Sequence, residues 1–231
     1  MVPVGVAAAR TVAAAVAERL FFALWPGEAQ RLALARVQAD LSGLSGLPGL
    51  SGLTGLSGPT TPAVRPTGET IGRDVTASGQ TPLARPPFRG RLIHPGDIHL
   101  TLVFLGAVPP EQRQCAESAA ERVRSPAFTL SLDRVGSFPR ARVVWCGTDP
   151  APAPLAQLVT TLRHELGACG LALDPRPYAP HATLARNARP LAARPLDQPI
   201  SWPVDAFVLA YGQEGPPPRY RILRRWTLAR P

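Results

Sequence analysis

The chain contains no lysine, a single methionine, and three cysteines in 231 residues. Charged residues make up only 18%, where about 25% is usual for a soluble domain. The cysteines, Cys115, Cys146 and Cys169, lie far apart and form no C-x-x-C, so neither a zinc knuckle nor a redox pair is indicated. Their odd number argues against a secreted disulfide scaffold, and the expectation is a reducing, cytoplasmic setting. No run of about 18 uncharged apolar residues exists, so no transmembrane helix is predicted and no membrane partner. G-x-G-x-x-G and phosphate-loop signatures are absent, which leaves nucleotide-cofactor readings without support.

The absence of lysine means that arginine carries all the positive charge, and Lys+Arg 25 against Asp+Glu 16 gives a net charge of +9. A biased codon pool is the competing explanation. The guanidinium fork nevertheless matches phosphate oxygens well, so an anionic partner is expected. Hydrophobic residues at 45% are enough to build a core.

Within residues 1–18, the stretch from Val2 to Ala17 is apolar but for Arg10 and lacks the basic start of a signal peptide. This segment reads as an N-terminal extension or a misassigned start. Strands are predicted at 19–25, 98–104, 128–132, 142–146, 181–186, 204–209 and 220–228. Helices are predicted at 28–41, 109–124 and 154–166, the last with an apolar stripe of Leu155, Leu158, Val159, Leu162 and Leu166. Between Leu41 and Gly58 run six triplets ending in glycine. With one proline in the tract, a flexible insertion extending over 41–87 is the reading, rather than a collagen helix. Helices mixed with strand pairs indicate an α+β fold.

Two of the four histidines, His99 and His181, are each followed by Thr at +2 and Leu at +3. On a strand, positions i and i+2 share a face. Each unit therefore presents an imidazole beside a hydroxyl, His99 with Thr101 and His181 with Thr183. Two such units facing one another suit metal-free phosphodiester chemistry. One imidazole takes a proton from the nucleophile, the other gives one to the leaving oxygen, and hydroxyls hold the phosphate oxygens. Arg186 is near enough in sequence to join them, but strict alternation places it on the opposite face, so a bend is required. His94 reads as a solvated loop residue and His164 as part of a helix surface. Phe104 and Trp145 read as core. Arg219, Arg221, Arg224, Arg225 and Arg230, interleaved with Tyr220 and Trp226, form either a single-stranded RNA surface or a strand with inward aromatics and wet arginines.

The segments Arg19-Leu-Phe-Phe-Ala, His99-Leu-Thr-Leu-Val-Phe-Leu-Gly106, Arg142-Val-Val-Trp and Arg176-Pro-Tyr-Ala-Pro-His-Ala-Thr-Leu-Ala-Arg186 together resemble the RNA 2′,3′-cyclic phosphodiesterases, also called 2′-5′ RNA ligases, of the two-histidine phosphoesterase superfamily. The resemblance implies a bilobal, duplicated fold over 19–231, with two antiparallel-rich sheets flanking a central cleft and helices outside. It implies hydrolysis of RNA or nucleoside 2′,3′-cyclic phosphates to 2′-phosphomonoesters without metal or other cofactor; a monomer is expected. In that pattern His99 is the proton donor, His181 the proton acceptor, and Thr101, Thr183 and Arg186 bind substrate. Alternatives are a 2′-5′ RNA ligase as main role, or a non-catalytic module binding nucleotides or RNA ends. Asp97 stands where asparagine is common, and Val208-Leu-Ala-Tyr211 replaces a segment that often ends in serine; both are expected to affect base or RNA-end contacts.

Overall fold

A computed structural model describes residues 19–42 and 88–230. The expected extension at 1–18, and residues 43–87 of the insertion expected at 41–87, lie outside the described residues; Leu41 and Ser42 are helical.

A continuous run of aromatic and aliphatic residues, buried on both faces, makes β1 (Arg19–Leu24), and Pro26-Gly27 ends it before α1 (Glu28–Ser42). Then follow β2 (Arg91–Leu92), β3 (Leu100–Ala107), α2 (Pro110–Arg122), β4 (Phe128–Phe138), β5 (Val143–Gly147), α3 (Ala153–Leu166), β6 (His181–Arg186), β7 (Arg194–Val204), β8 (Ala206–Gly212) and β9 (Tyr220–Thr227). Prolines at the starts of α2 and α3 supply no N–H where none is needed. The apolar stripe of α3 is buried as the periodicity predicts.

The fold is α+β. Its strands form one sheet, in the order β7-β4-β5-β6-β3-β1-β8-β9 with β2 added beside β6. The expectation of two separate sheets is therefore corrected. Every named strand pairing is antiparallel. The joint between β3 and β6 is the single residue pair Leu100–Ala182. One face of the sheet meets the helices over the main core, which includes Phe22, Leu100, Leu130, Leu158 and Leu184. The other face carries a small cluster of Phe21, Ala23, Val208 and Ala210, flanked by Trp25 and Tyr220.

Two strands escaped the sequence reading. β7 contains Pro195, Pro199 and Pro203, which looks unlike a strand. It lies at the end of the strand order, where one row of N–H groups needs no partner and proline is tolerated. β2 is only two residues long. The cysteine expectation is also corrected. α2 packs against α3, which brings Cys115 and Cys169 to a Cα separation of 5.7 Å in a disulfide. Cys146 is the unpaired cysteine, buried in the core, where burial pushes its thiol up to about 12. Among the described residues no helix is long and apolar enough to cross a membrane.

Candidate active site

The single bridge between β3 and β6 decides the geometry of both motifs. Leu100 and Ala182 face each other and point into the core. Antiparallel register then sets Thr101 opposite His181 and His99 opposite Thr183, all on the face away from the helices. Each histidine thus stands across from the other motif's threonine. Diagonal neighbours in such a ladder lie roughly 7–8 Å apart, which leaves room for one phosphate between the imidazoles.

Both rings are held in the same way. Nδ1 of His99 lies 2.8 Å from the carbonyl oxygen of Asp97, and Nδ1 of His181 lies 2.7 Å from that of Ala179. A carbonyl can only accept, so Nδ1 carries the proton in each ring and Nε2 is left free. His99 stacks on Phe21 at 4.7 Å and on Trp25 at 5.5 Å, with the edge of Tyr220 at 4.9 Å. His181 meets Phe138 edge-on at 4.9 Å. Burial among these rings lowers both imidazoles, pushing His99 down to about 4. The hydrogen bonds to Asp97 and Ala179 oppose that fall, while the charge of Arg186 adds to it at both rings.

Arg186 reaches this face because β6 is bulged. Val144 pairs with Ala185 but Trp145 pairs with Thr183, so Leu184 is the extra residue. Leu184 and Ala185 are consecutive and both buried, and alternation resumes with Arg186 exposed on the side of His181 and Thr183. The bend required of the sequence is this bulge. It is propped from behind by Gln38 of α1, a buried side chain whose Nε2 donates to the carbonyls of Leu184 at 2.8 Å and Ile93 at 2.9 Å. Sequence reasoning passed over Gln38, whose only signal is a polar residue amid the apolar side of α1.

β3 repeats the device. Thr101 pairs with Ala23 and Val103 with Phe22, which makes Leu102 the extra residue. Phe104, read as core from the sequence, is therefore turned onto the site face, 47% exposed, with the Arg19 guanidinium 5.8 Å from its ring centre. Trp145 likewise belongs to the site face rather than the core. It lies opposite Thr183, packs on Phe138, and covers Gly136, where a Cβ would come within 2.7 Å of the indole.

His99, Thr101, Phe104, Arg186, Arg219 and Tyr220 line one cleft. His181 and Thr183 adjoin it across the β3–β6 bridge. Tyr178 ties the approach to the second motif onto the first, its hydroxyl donating to the Thr101 carbonyl at 3.1 Å. Asp97 borders the cleft and also holds its wall in place. Its buried carboxylate accepts from the backbone N–H of Arg219 at 2.6 Å and of Tyr220 at 3.0 Å, anchoring the start of β9 beside His99. The C-terminal arginines divide. Arg224 pairs with Glu117 and Glu121 and Arg225 with Asp205, while Arg219 lines the cleft; Trp226 packs inward on Phe22 and Phe207. His94 is exposed in its loop, with Nδ1 accepting from the Gly96 N–H, and His164 is exposed on α3. Among the described residues no three His, Cys, Asp or Glu side chains are grouped to hold a metal ion.

A family model described as the 2′-5′ RNA ligase superfamily matches residues 88–216. The RNA 2′,3′-cyclic phosphodiesterase of Escherichia coli (strain K12) is 38% identical over 149 residues, covering 62% of this chain and 82% of that protein. The RNA 2′,3′-cyclic phosphodiesterase of Thermus thermophilus is 31% identical over 155 residues, covering 62% of this chain and 78% of that one. The crystal structure of E. coli LigT complexed with 3′-AMP matches with a TM-score of 0.67 and 29% identity, over 91% of this chain and 98% of that chain.

Proposed function

Because the chain belongs to the 2′-5′ RNA ligase superfamily, we propose that it is an RNA 2′,3′-cyclic phosphodiesterase, converting cyclic phosphates on RNA ends or nucleosides to 2′-phosphomonoesters. The observation that carries this reading is the Leu100–Ala182 pair, which sets two imidazoles and two hydroxyls on one face of the sheet.

In this mechanism Nε2 of neutral His181 takes a proton from water as its oxygen bonds to phosphorus. The bond from phosphorus to O3′ breaks, and Nε2–H of protonated His99 delivers a proton to that oxygen. The hydroxyls of Thr101 and Thr183 and the guanidinium of Arg186 hold the remaining oxygens as charge builds on them. Both histidines are half-buried beside a cleft open to solvent, so water can reach the phosphorus as nucleophile.

The same reading treats 19–231 as a single domain of two related lobes, interrupted by an insertion that follows the end of α1 at Ser42 and runs to 87. Its support is that β1 is seated between β3 and β8, and that four main strands lie on each side of the β3–β6 bridge with a His-x-Thr unit next to it in each half.

Turnover of 2′,3′-cyclic AMP is expected to persist in EDTA and to yield the 2′-phosphate, identified by phosphorus NMR. Loss of activity in EDTA, or a 3′-phosphate product, contradicts the mechanism.

The lowered imidazoles give the pH dependence a direction. With His99 near 4, only about one free molecule in a thousand carries its acid proton at pH 7. His181 is lowered as well and is neutral there, ready as a base. As pH falls below 7, protonated His99 increases until His181 also charges. The profile of kcat/KM is therefore expected to peak on the acid side of 6.5. Bound anionic phosphate raises both groups, so kcat should peak at higher pH. Coincident profiles centred on 6.5 would show that burial does not act on these rings as described.

A further inference from the structure

Three short segments meet where β2, β5 and β6 end. Arg91 pairs with Arg186 across β2 and β6, and Arg186 pairs with Val143 across β6 and β5. The Ala188 N–H donates to the Arg142 carbonyl at 3.0 Å, and the Arg189 N–H to the Arg89 carbonyl at 3.1 Å. The stretches 89–91, 140–142 and 186–189 hold ten residues, of which six are arginine and none acidic. The chain average, 25 in 231, would place about one there. A codon bias acts on the whole chain and does not explain this clustering.

All six arginines are exposed, and among the described residues none pairs with a carboxylate. The acids answer other arginines, such as Arg122 with Glu165 and Arg224 with Glu117 and Glu121. Arg142 also has φ 52°, in the left-handed region that a long side chain seldom adopts, as does Asn187, whose carbonyl its guanidinium contacts at 3.4 Å. Arg91 and Arg186 line the cleft, so the basic strip begins at the reaction centre and leads away from it.

A mononucleoside cyclic phosphate carries one negative charge, which the two motifs and Arg186 already meet. Additional unpaired guanidinium groups suit a polyanion continuous with that phosphate. We propose that Arg89, Arg91, Arg140, Arg142 and Arg189 form a track for the sugar–phosphate backbone of an RNA strand whose cyclic end lies between the histidines. This rests on the function proposed above and names its substrate class: single-stranded RNA ends, held without regard to sequence, in preference to mononucleotides.

The test compares the intact protein with the triple variant Arg89→Gln, Arg142→Gln, Arg189→Gln. Two substrates are used, 2′,3′-cyclic AMP and an oligoribonucleotide ending in adenosine 2′,3′-cyclic phosphate, at several salt concentrations. The variant is expected to lose at least tenfold in kcat/KM on the oligonucleotide at low salt, with unchanged turnover of the mononucleotide. The slope of log kcat/KM against log salt should become shallower by about 2, at about 0.7 per lost phosphate contact. Lysine at the same three positions should restore most of the oligonucleotide rate, since it keeps the point charge. Equal losses on both substrates, or none on the oligonucleotide, would overturn the track. Fluorescence anisotropy with a labelled oligoribonucleotide bearing an ordinary 3′-phosphate gives a readout independent of hydrolysis. Weaker binding by the triple variant supports the track even if no cyclic phosphate is turned over, an outcome that sinks the catalytic reading alone. Unchanged binding sinks the track.

Discussion

Replacing His99 or His181 by alanine is expected to lower kcat for 2′,3′-cyclic AMP by a factor on the order of 10² to 10⁴. In the proposed mechanism the two groups share one proton circuit, so removing both should cost little more than removing either. The single variants should differ in their pH profiles. Loss of His181 removes the limb that falls towards acid, where the base is protonated. Loss of His99 removes the limb that falls towards alkali, where the acid is deprotonated. Steady-state kinetics at saturating substrate across pH 4 to 9 measure both. A folding defect is distinguished by the thermal midpoint. Among the described residues His181 has one ring neighbour, Phe138, whereas His99 packs against Phe21, Trp25 and Tyr220. The His99 variant should therefore melt at the lower temperature of the two. Full activity in both single variants would remove the histidine pair from the mechanism.

The second large effect is expected at Gly147, a residue that touches no substrate. It pairs with His181 across β5 and β6. A Cβ there would sit 2.3 Å from the carbonyl oxygen of Pro180 and 3.3 Å from the Cα of His181. The obstructing atom is backbone, with no flexible end to swing aside, so Gly147→Ala must push the Pro180–His181 segment away from β5. That movement shifts the His181 ring and strains its Nδ1 bond to Ala179. A tenfold or greater loss in kcat is expected, with destabilisation of about 1–3 kcal/mol from the overpacked contact. Gly167→Ala is the control, since nothing lies within 4 Å of its added Cβ. It should leave kcat unchanged and the melting temperature the same or slightly higher. Wild-type kcat and stability in Gly147→Ala would show that the strands tolerate the clash.

Much of this was legible in the sequence. All three helices and most strands follow from periodicity, and β6 begins and ends where the pattern places it. The two motifs were legible because a repeated His-x-Thr on strands has a simple geometric meaning. What strict alternation could not give was the faces beyond each bulge. Phe104 looked like core because counting by twos from Leu100 gives the wrong side after Leu102. Arg186 posed the same difficulty, and its solution lies in the extra residue at Leu184. β7 was hidden by prolines that only an edge position tolerates. The Cys115–Cys169 bond depends on how α2 meets α3, a tertiary fact that separation by 54 residues does not reveal. Asp97 and Gln38 act through backbone groups far away in the chain, and the local sequence gives no hint of which groups those are.

The bulge at Leu184 also bears on how the gene can vary. Inserting one codon between Thr183 and Arg186 would not merely lengthen a strand. With the bulge kept, alternation would turn the downstream guanidinium inward, towards the core that Gln38 props. The reading frame survives such a lesion, yet the inside and outside of the protein exchange places over its last residues of β6. Length at that spot is thus as constrained as residue identity.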